Sequence, residues 1–237
     1  MSQTISVPGR FNGPLTSGHG GYSSAVIAGL VEGPASVTLR SPVPLDTALE
    51  VIREDDRSVR VLNGGTLVAE ANPAAQLDLE VPAPVSTSEA RLATARYPES
   101  PDELFSRCFV CGRGREDTLG VFAGTVEARN LVASPWTPPE WTADEAGWVL
   151  PEYIWAVMDC PTYFAVYQDG VLPLSFLGRM MARIDAPVVA GDEYVVMAWP
   201  ISADGRKQHA GAAVVSADGD VLAVARVLMI EPRRGSQ

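Results

Sequence analysis

Two stretches of the chain carry the same succession of hydrophobic and polar patterns. In the first, the glycines around His19 (GHGG, 18–21) open a helical run to about residue 31, in which Tyr22, Ala25, Val26, Ile27, Ala28 and Leu30 are apolar on nearly every side. A helix without a polar face is a buried helix. Strand-like runs follow at 35–41, at 47–53, and at 58–62 and 66–71 about the turn Asn63-Gly64-Gly65. Asn-Gly between apolar alternations predicts a hairpin, because both residues accept positive φ. In the second stretch a helix starts at Pro151, which tolerates a first helical position because its missing N–H would go unpaired there anyway. It carries Ile154, Trp155, Val157 and Met158 and, beyond an expected break at Pro161, Tyr163, Phe164 and Val166. Strands are predicted again at 175–184, 192–200, 207–216 and 220–230, with turns at Ala203-Asp204-Gly205 and Ala217-Asp218-Gly219.

The two stretches align as a repeat. Pro42 through Val51 lies without gaps on Pro187 through Val196, and Gly65 through Ala71 lies on Gly219 through Ala225. Between the halves, residues 72–104 hold Pro73, Pro82, Pro84, Pro98 and Pro101. That density opposes helix interiors and central strands, and predicts an extended linker with a short strand near 76–81. Residues 133–142 (ASPWTPPEWT) predict a second proline-rich connection, packed through its tryptophans. The expected organisation is a first repeat at 1–75, a linker at 76–117 and a second repeat at 118–237.

Composition narrows the function. With 46% hydrophobic and 20% charged residues the chain has ample apolar surface to bury, which excludes general disorder. No run of about 18 uncharged apolar residues marks a membrane span. The start of the chain, MSQTISVPGR, has no apolar signal segment. The net charge of −11 disfavours a protein that grips a nucleic-acid backbone. An odd count of three cysteines without a secretory signal reads as a reduced, cytoplasmic protein.

A buried helix followed by an antiparallel meander, present twice, resembles the hotdog fold, in which a curved sheet wraps a central helix. Two copies in one chain resemble the double-hotdog acyl-CoA thioesterases, over roughly 15–71 and 118–231. His19-Gly20-Gly21 is similar to the His-Gly-Gly of the phenylacetyl-CoA thioesterase branch, and Trp155-Ala156-Val157-Met158-Asp159 to that branch's helix ending in a catalytic Asp. The resemblance implies an α+β double hotdog acting on an acyl-CoA, with a helical acid as base or nucleophile and a glycine N–H from the opposite helix polarising the thioester carbonyl. With the two helices in register, Ile27 of the first stands at the position of Asp159 in the second, while the glycines occur only in the first. One composite site per chain is therefore expected, built from Gly20, Gly21 and Asp159.

The chemistry suits those residues. A helix N-terminus offers unpaired N–H groups and partial positive charge, and glycine lets a ligand approach the backbone closely. A carboxylate among Trp155, Met158 and Cys160 must find a partner or titrate at a raised pKa, as a general base requires. The alternative for Asp159 is to cap a new turn around Pro161, and Glu152 is the fallback acid. His19, Tyr22, Ser23, Trp155 and Arg179 complete the expected substrate-binding set. Arg40, Arg183, Arg206 and Lys207 are further candidates for coenzyme A phosphates, which an acidic chain must meet with local positive charge. His209 sits on a polar hairpin arm. Cys108-Phe109-Val110-Cys111-Gly112 supplies only two of the four ligands a zinc site needs, so no metal site and no cofactor are expected. A buried thiol pair in a turn is the simpler reading.

Three functions fit this sequence to different degrees. A thioesterase for a small or medium acyl-CoA fits best. A hydratase or dehydratase fits poorly, since neither histidine follows an acid at the helix. A non-catalytic acyl-CoA binder is the alternative, kept open by Ile27. Acyl-CoA is the expected partner, with no nucleic acid and no membrane; a homodimer is compatible with the sequence.

Overall fold

The computed structural model describes residues 3–98, 103–167 and 172–233. Its elements in chain order are β1 (Gln3–Ile5), α1 (Gly20–Ala28), β2 (Ala35–Leu39), β3 (Leu49–Arg53), β4 (Val59–Asn63), β5 (Thr66–Pro73), α2 (Thr87–Thr94), β6 (Gly124–Thr125), β7 (Val132–Trp136), α3 (Pro151–Val166), β8 (Phe176–Ile184), β9 (Tyr194–Asp204), β10 (Lys207–Ser216) and β11 (Val221–Ile230). The strands form one eleven-stranded sheet in the order β1-β3-β4-β5-β2-β8-β11-β10-β9-β7-β6. Every named strand pair is antiparallel. Outward from the β2–β8 contact each half runs in the same order: the first strand after its helix, then the fourth, the third and the second. The contact itself is a short ladder, Val37 opposite Met180 and Thr38 opposite Arg179.

Alternation along the strands serves two cores. On β9, Val196 and Ala198 join the larger core, while Val195, Met197 and Trp199 join the smaller; on β10, Ala212 and Val214 face one and Ala213 and Val215 the other. Successive side chains point to opposite faces of a strand, so each face has its own cover. Buried residues of α1 and α3, Ile27 and Met158 among them, belong to the larger core, and Ala90 and Ala93 of α2 to the smaller. This is a hotdog-like α+β arrangement. Among the described residues no helix is long and apolar enough to cross a membrane.

Four local readings are corrected. First, α1 stops at Ala28, because beyond Gly29 the chain tightens through Leu30 N–H to Ile27 C=O and Val31 N–H to Ala28 C=O, at 3.1 and 3.0 Å. Second, α3 does not break at Pro161. The proline removes the N–H that would meet the Val157 carbonyl; the burial of Val157, Met158, Phe164 and Ala165 on either side holds the helix together. Third, residues 76–81 form no strand. The backbone there is tied by arginines instead: Arg183 donates to the Leu77 carbonyl, and Arg226 Nη2 to the Asp78 carbonyl at 3.4 Å. The same linker contains α2, started by a capping box in which the Ser86 hydroxyl accepts from Glu89 N–H and Glu89 accepts from Ser86 N–H. Residues 99–102 of that linker lie outside the described residues. Fourth, 133–142 is not all connection, since β7 occupies Val132–Trp136. Pro135 is tolerated because β6 pairs only with Val132 and Ala133, leaving the other side of Pro135 without a ladder partner.

Candidate functional site

The N-terminus of α1 abuts the middle of α3. His19 caps α1, its Nδ1 accepting from Tyr22 N–H at 3.4 Å. Gly21 N–H donates to Asp159 Oδ2 at 2.7 Å. Both glycines are required by this crossing. A Cβ on Gly20 would stand 2.8 Å from Leu177 Cβ and 2.9 Å from Asp159 Oδ2; one on Gly21 would stand 2.7 Å from the Trp155 carbonyl oxygen and 2.8 Å from Asp159 Cβ. The Asp159 side chain therefore caps no turn of its own helix. It reaches across to α1, while Thr162 Oγ1 donates to the Asp159 carbonyl at 2.6 Å.

Asp159 is 6% exposed and His19 2% exposed, with His19 Nδ1 3.7 Å from Asp159 Oδ2. Burial pushes the Asp159 carboxyl above its usual range, and His19 and the Gly21 N–H pull against that rise. For His19, burial alone would lower the pKa; the interaction with Cys108 and the charge of Asp159 outweigh it and raise it.

Three thiols complete the cluster. His19 Nε2 lies 3.2 Å from Cys160 Sγ, and Cys160 Sγ lies 3.7 Å from Cys108 Sγ. Cys111, on the same turn as Cys108, lines the same cavity as they do. The Cys108 thiol is held well below its usual pKa by hydrogen bonds from Cys111 and Cys160 and by His19, whereas Cys111 and Cys160 are pushed up by theirs to Cys108. All of these residues line one cavity of about 710 Å³ together with Gly20 and Asp159. Aromatic and aliphatic walls come from Tyr97, Phe105, Tyr163, Phe164, Leu177 and Met229. Exposed Arg40 and Arg206 stand at the same cavity.

The residues singled out in the sequence divide accordingly. His19, Gly20 and Asp159 line the cavity, and Gly21 holds Asp159 from behind. Tyr22 does not line it; it stacks on Phe11 with ring centroids 4.1 Å apart. Ser23 is fully buried beneath Gly18, where an added Cβ would lie 2.7 Å from its Oγ. Trp155 turns its carbonyl to Gly21 and its ring into the core. Arg179 is spent on the sheet, its Nε donating to Thr38 Oγ1 across the β2–β8 contact at 3.0 Å. Arg183 pairs with Asp185. Glu152 lies in the first turn of α3 and is not among the cavity-lining residues. The sequence reading missed Cys160 and the approach of Cys108 and Cys111 to His19. Separations of 141 residues between His19 and Cys160, and of 52 between Cys108 and Cys160, leave no spacing signal.

Comparison with known proteins adds the fold's relatives. No family model matches the chain, and no curated protein matches it by sequence. Among solved structures, a protein of Novosphingobium aromaticivorans provisionally assigned as a thioesterase aligns with 13% identity over 97% of this chain and 95% of its own, at a TM-score of 0.60. The TesB protein of Mycobacterium avium subspecies paratuberculosis aligns with 14% identity over 90% of this chain and 85% of its own, at a TM-score of 0.56. At these identities the likeness is one of fold.

Proposed function

We propose that the protein is a double hotdog, one repeat on either side of the β2–β8 contact, with a single composite site for an acyl thioester such as an acyl-CoA. The observation that carries this is the hydrogen bond from Gly21 N–H to Asp159 Oδ2. It joins the glycine end of one central helix to the acid of the other, at the wall of a cavity lined largely by apolar side chains. A buried carboxyl with a raised pKa is suited to act as base or nucleophile toward a thioester carbonyl. The α1 N-terminus supplies the positive end of a dipole near the developing oxyanion. Arg40, paired with Glu70, and Arg206, donating to the Glu231 carbonyl, are the cations at the cavity rim that would exchange those partners for a coenzyme A phosphate.

A second reading has its own support. The Gly21 N–H is already taken by Asp159, so a thioester carbonyl needs either that carboxylate to move or another donor. That occupation favours a binder of acyl-CoA without hydrolysis. The two readings separate in one experiment. A panel of small and medium acyl-CoAs is offered to the protein, and free thiol is measured against a substrate-free blank that corrects for the three cysteines. Binding is measured calorimetrically with the same panel. Hydrolysis of at least one member supports the enzyme, heat of binding without thiol release supports the binder, and neither signal overturns both.

A further inference from the structure

His19, Cys108 and Cys160 meet at one point, although they come from three distant segments, and Cys111, the third cysteine, lines the same cavity. We infer that His19, Cys108, Cys111 and Cys160 form a tetrahedral zinc site. This reading does not depend on whether the cavity hydrolyses anything. A single C-x-x-C offers two ligands; here α1 adds the cap imidazole and α3 adds a third thiol.

Two of the edges already lie within a few tenths of an ångström of a zinc tetrahedron's. With Zn–S bonds of about 2.3 Å and Zn–N bonds of about 2.0–2.1 Å, ideal tetrahedral edges are about 3.8 Å for S···S and about 3.5 Å for S···N. Cys108 Sγ and Cys160 Sγ are 3.7 Å apart, and Cys160 Sγ and His19 Nε2 are 3.2 Å apart. The ligating atoms of His19, Cys108 and Cys160 all lie within 4.8 Å of one another. Cys111, three residues from Cys108 and lining the same cavity, stands outside that group of three and is the fourth corner that the ion would recruit. Three thiolates with an imidazole select zinc over the hard cations that prefer oxygen.

The surroundings are arranged as an outer shell. Val110 N–H points at Cys108 Sγ at 3.5 Å, a donor for a thiolate. The turn that brings the two cysteines of the motif together closes through Gly112 N–H to Cys108 C=O at 2.9 Å, where a Cβ would stand 2.4 Å from Cys108 N. With Nε2 on the metal, the neutral imidazole carries its proton on Nδ1, so the cap bond from Tyr22 N–H is given up and that proton turns to Asp159 Oδ2, 3.7 Å away, closing to a carboxylate–histidine–metal relation. The balance of the step is simple: one Zn²⁺ is taken up, three thiol protons are released to solvent, and the imidazole binds as the neutral ring. The ion would pin the 108–112 turn to both central helices at the cavity wall, which is what a closed four-ligand site does.

The test uses full-length protein carrying no polyhistidine tag, purified under reducing conditions. Its metal content is measured, and metal-stripped protein is titrated with cobalt(II). The expected result is one zinc or one cobalt per chain, with a thiolate-to-cobalt charge-transfer band and the intense d–d bands of tetrahedral coordination. Asp159→Asn should keep the band shape but weaken cobalt binding by about 10–100-fold, the usual cost of losing an outer-shell partner. Cys160→Ser should weaken it further and lower the charge-transfer intensity; if that variant does not fold, Cys111→Ser takes its place. Wild-type protein with three titratable free thiols that takes up no stoichiometric metal would overturn the site. So would a cobalt spectrum without charge-transfer intensity, or Cys→Ser variants that bind as the wild type does.

Discussion

Asp159 gains its character from having almost no access to water and two partners on another helix. Its carboxylate is fixed by Gly21 N–H, and the fixing requires that neither Gly20 nor Gly21 carry a side chain. Gly21→Ala would drive a methyl group into the Trp155 carbonyl and Asp159 Cβ, both immobile, at 2.7 and 2.8 Å. Overpacking of this kind costs about 1–3 kcal/mol. The expected outcome is a lower urea midpoint at unchanged slope, measured by equilibrium unfolding; an unchanged midpoint would mean the helices slide apart freely. Much of this contact was legible in the sequence, because a glycine pair at one helix start and an acid on the other are local features. Tyr22 and Ser23 lie outside the cavity lining: Tyr22 packs against Phe11 and Tyr153, and Ser23 is buried beneath Gly18. The thiol cluster was illegible, since nothing local ties Cys160 to Cys108.

At the scale of elements, prolines and caps decided where the reading held. The strands of both meanders followed from alternation and turn residues, with ends off by a residue or two except in β9, which runs four residues further, to Asp204. Helix α2 was lost because proline density around it dominated the linker, although Ser86-Thr87-Ser88-Glu89 carries the capping-box spacing. Ser86→Ala removes one half of that box, and about 1 kcal/mol of stability should go with it. Hydrogen exchange at the amides of α2 should quicken while those of α1 and α3 hold; uniform protection across the three helices would contradict a local role. Pro161 was read as a break because proline inside a helix deletes a hydrogen bond. Packing overrides that deletion here, but the missing bond should still be recoverable. Pro161→Ala is expected to raise the urea midpoint by restoring a donor to the Val157 carbonyl, and a lower midpoint would assign the larger effect to the ring's own packing.

For the whole molecule, the two halves are bound by very little sheet and much helix. Only two residue pairs join β2 to β8, whereas α1 lies against α3 and shares its core. A first half expressed alone would expose the β2 edge and the α3-facing side of α1, an unpaired edge beside an apolar face. Residues 1–100 are therefore expected to aggregate or to unfold without a cooperative transition, as followed by circular dichroism against urea. A soluble, cooperatively folding fragment would contradict the dependence of each half on the other. The succession of elements in the sequence pointed to this pairing, but the location of the joint could not be read there, because edge strands and central strands of such a sheet carry similar patterns.

The central claim is that Asp159 performs the chemistry of one composite thioester site, and Asp159→Asn tests it most directly. Asparagine keeps an oxygen to accept from Gly21 N–H and removes a buried charge, so the variant should fold with an unchanged circular dichroism spectrum. Hydrolysis of the best acyl-CoA, followed by release of free thiol, should fall by about 10²–10⁴-fold, the usual contribution of a general base. Activity retained within a few-fold in a folded Asp159→Asn variant would contradict the account.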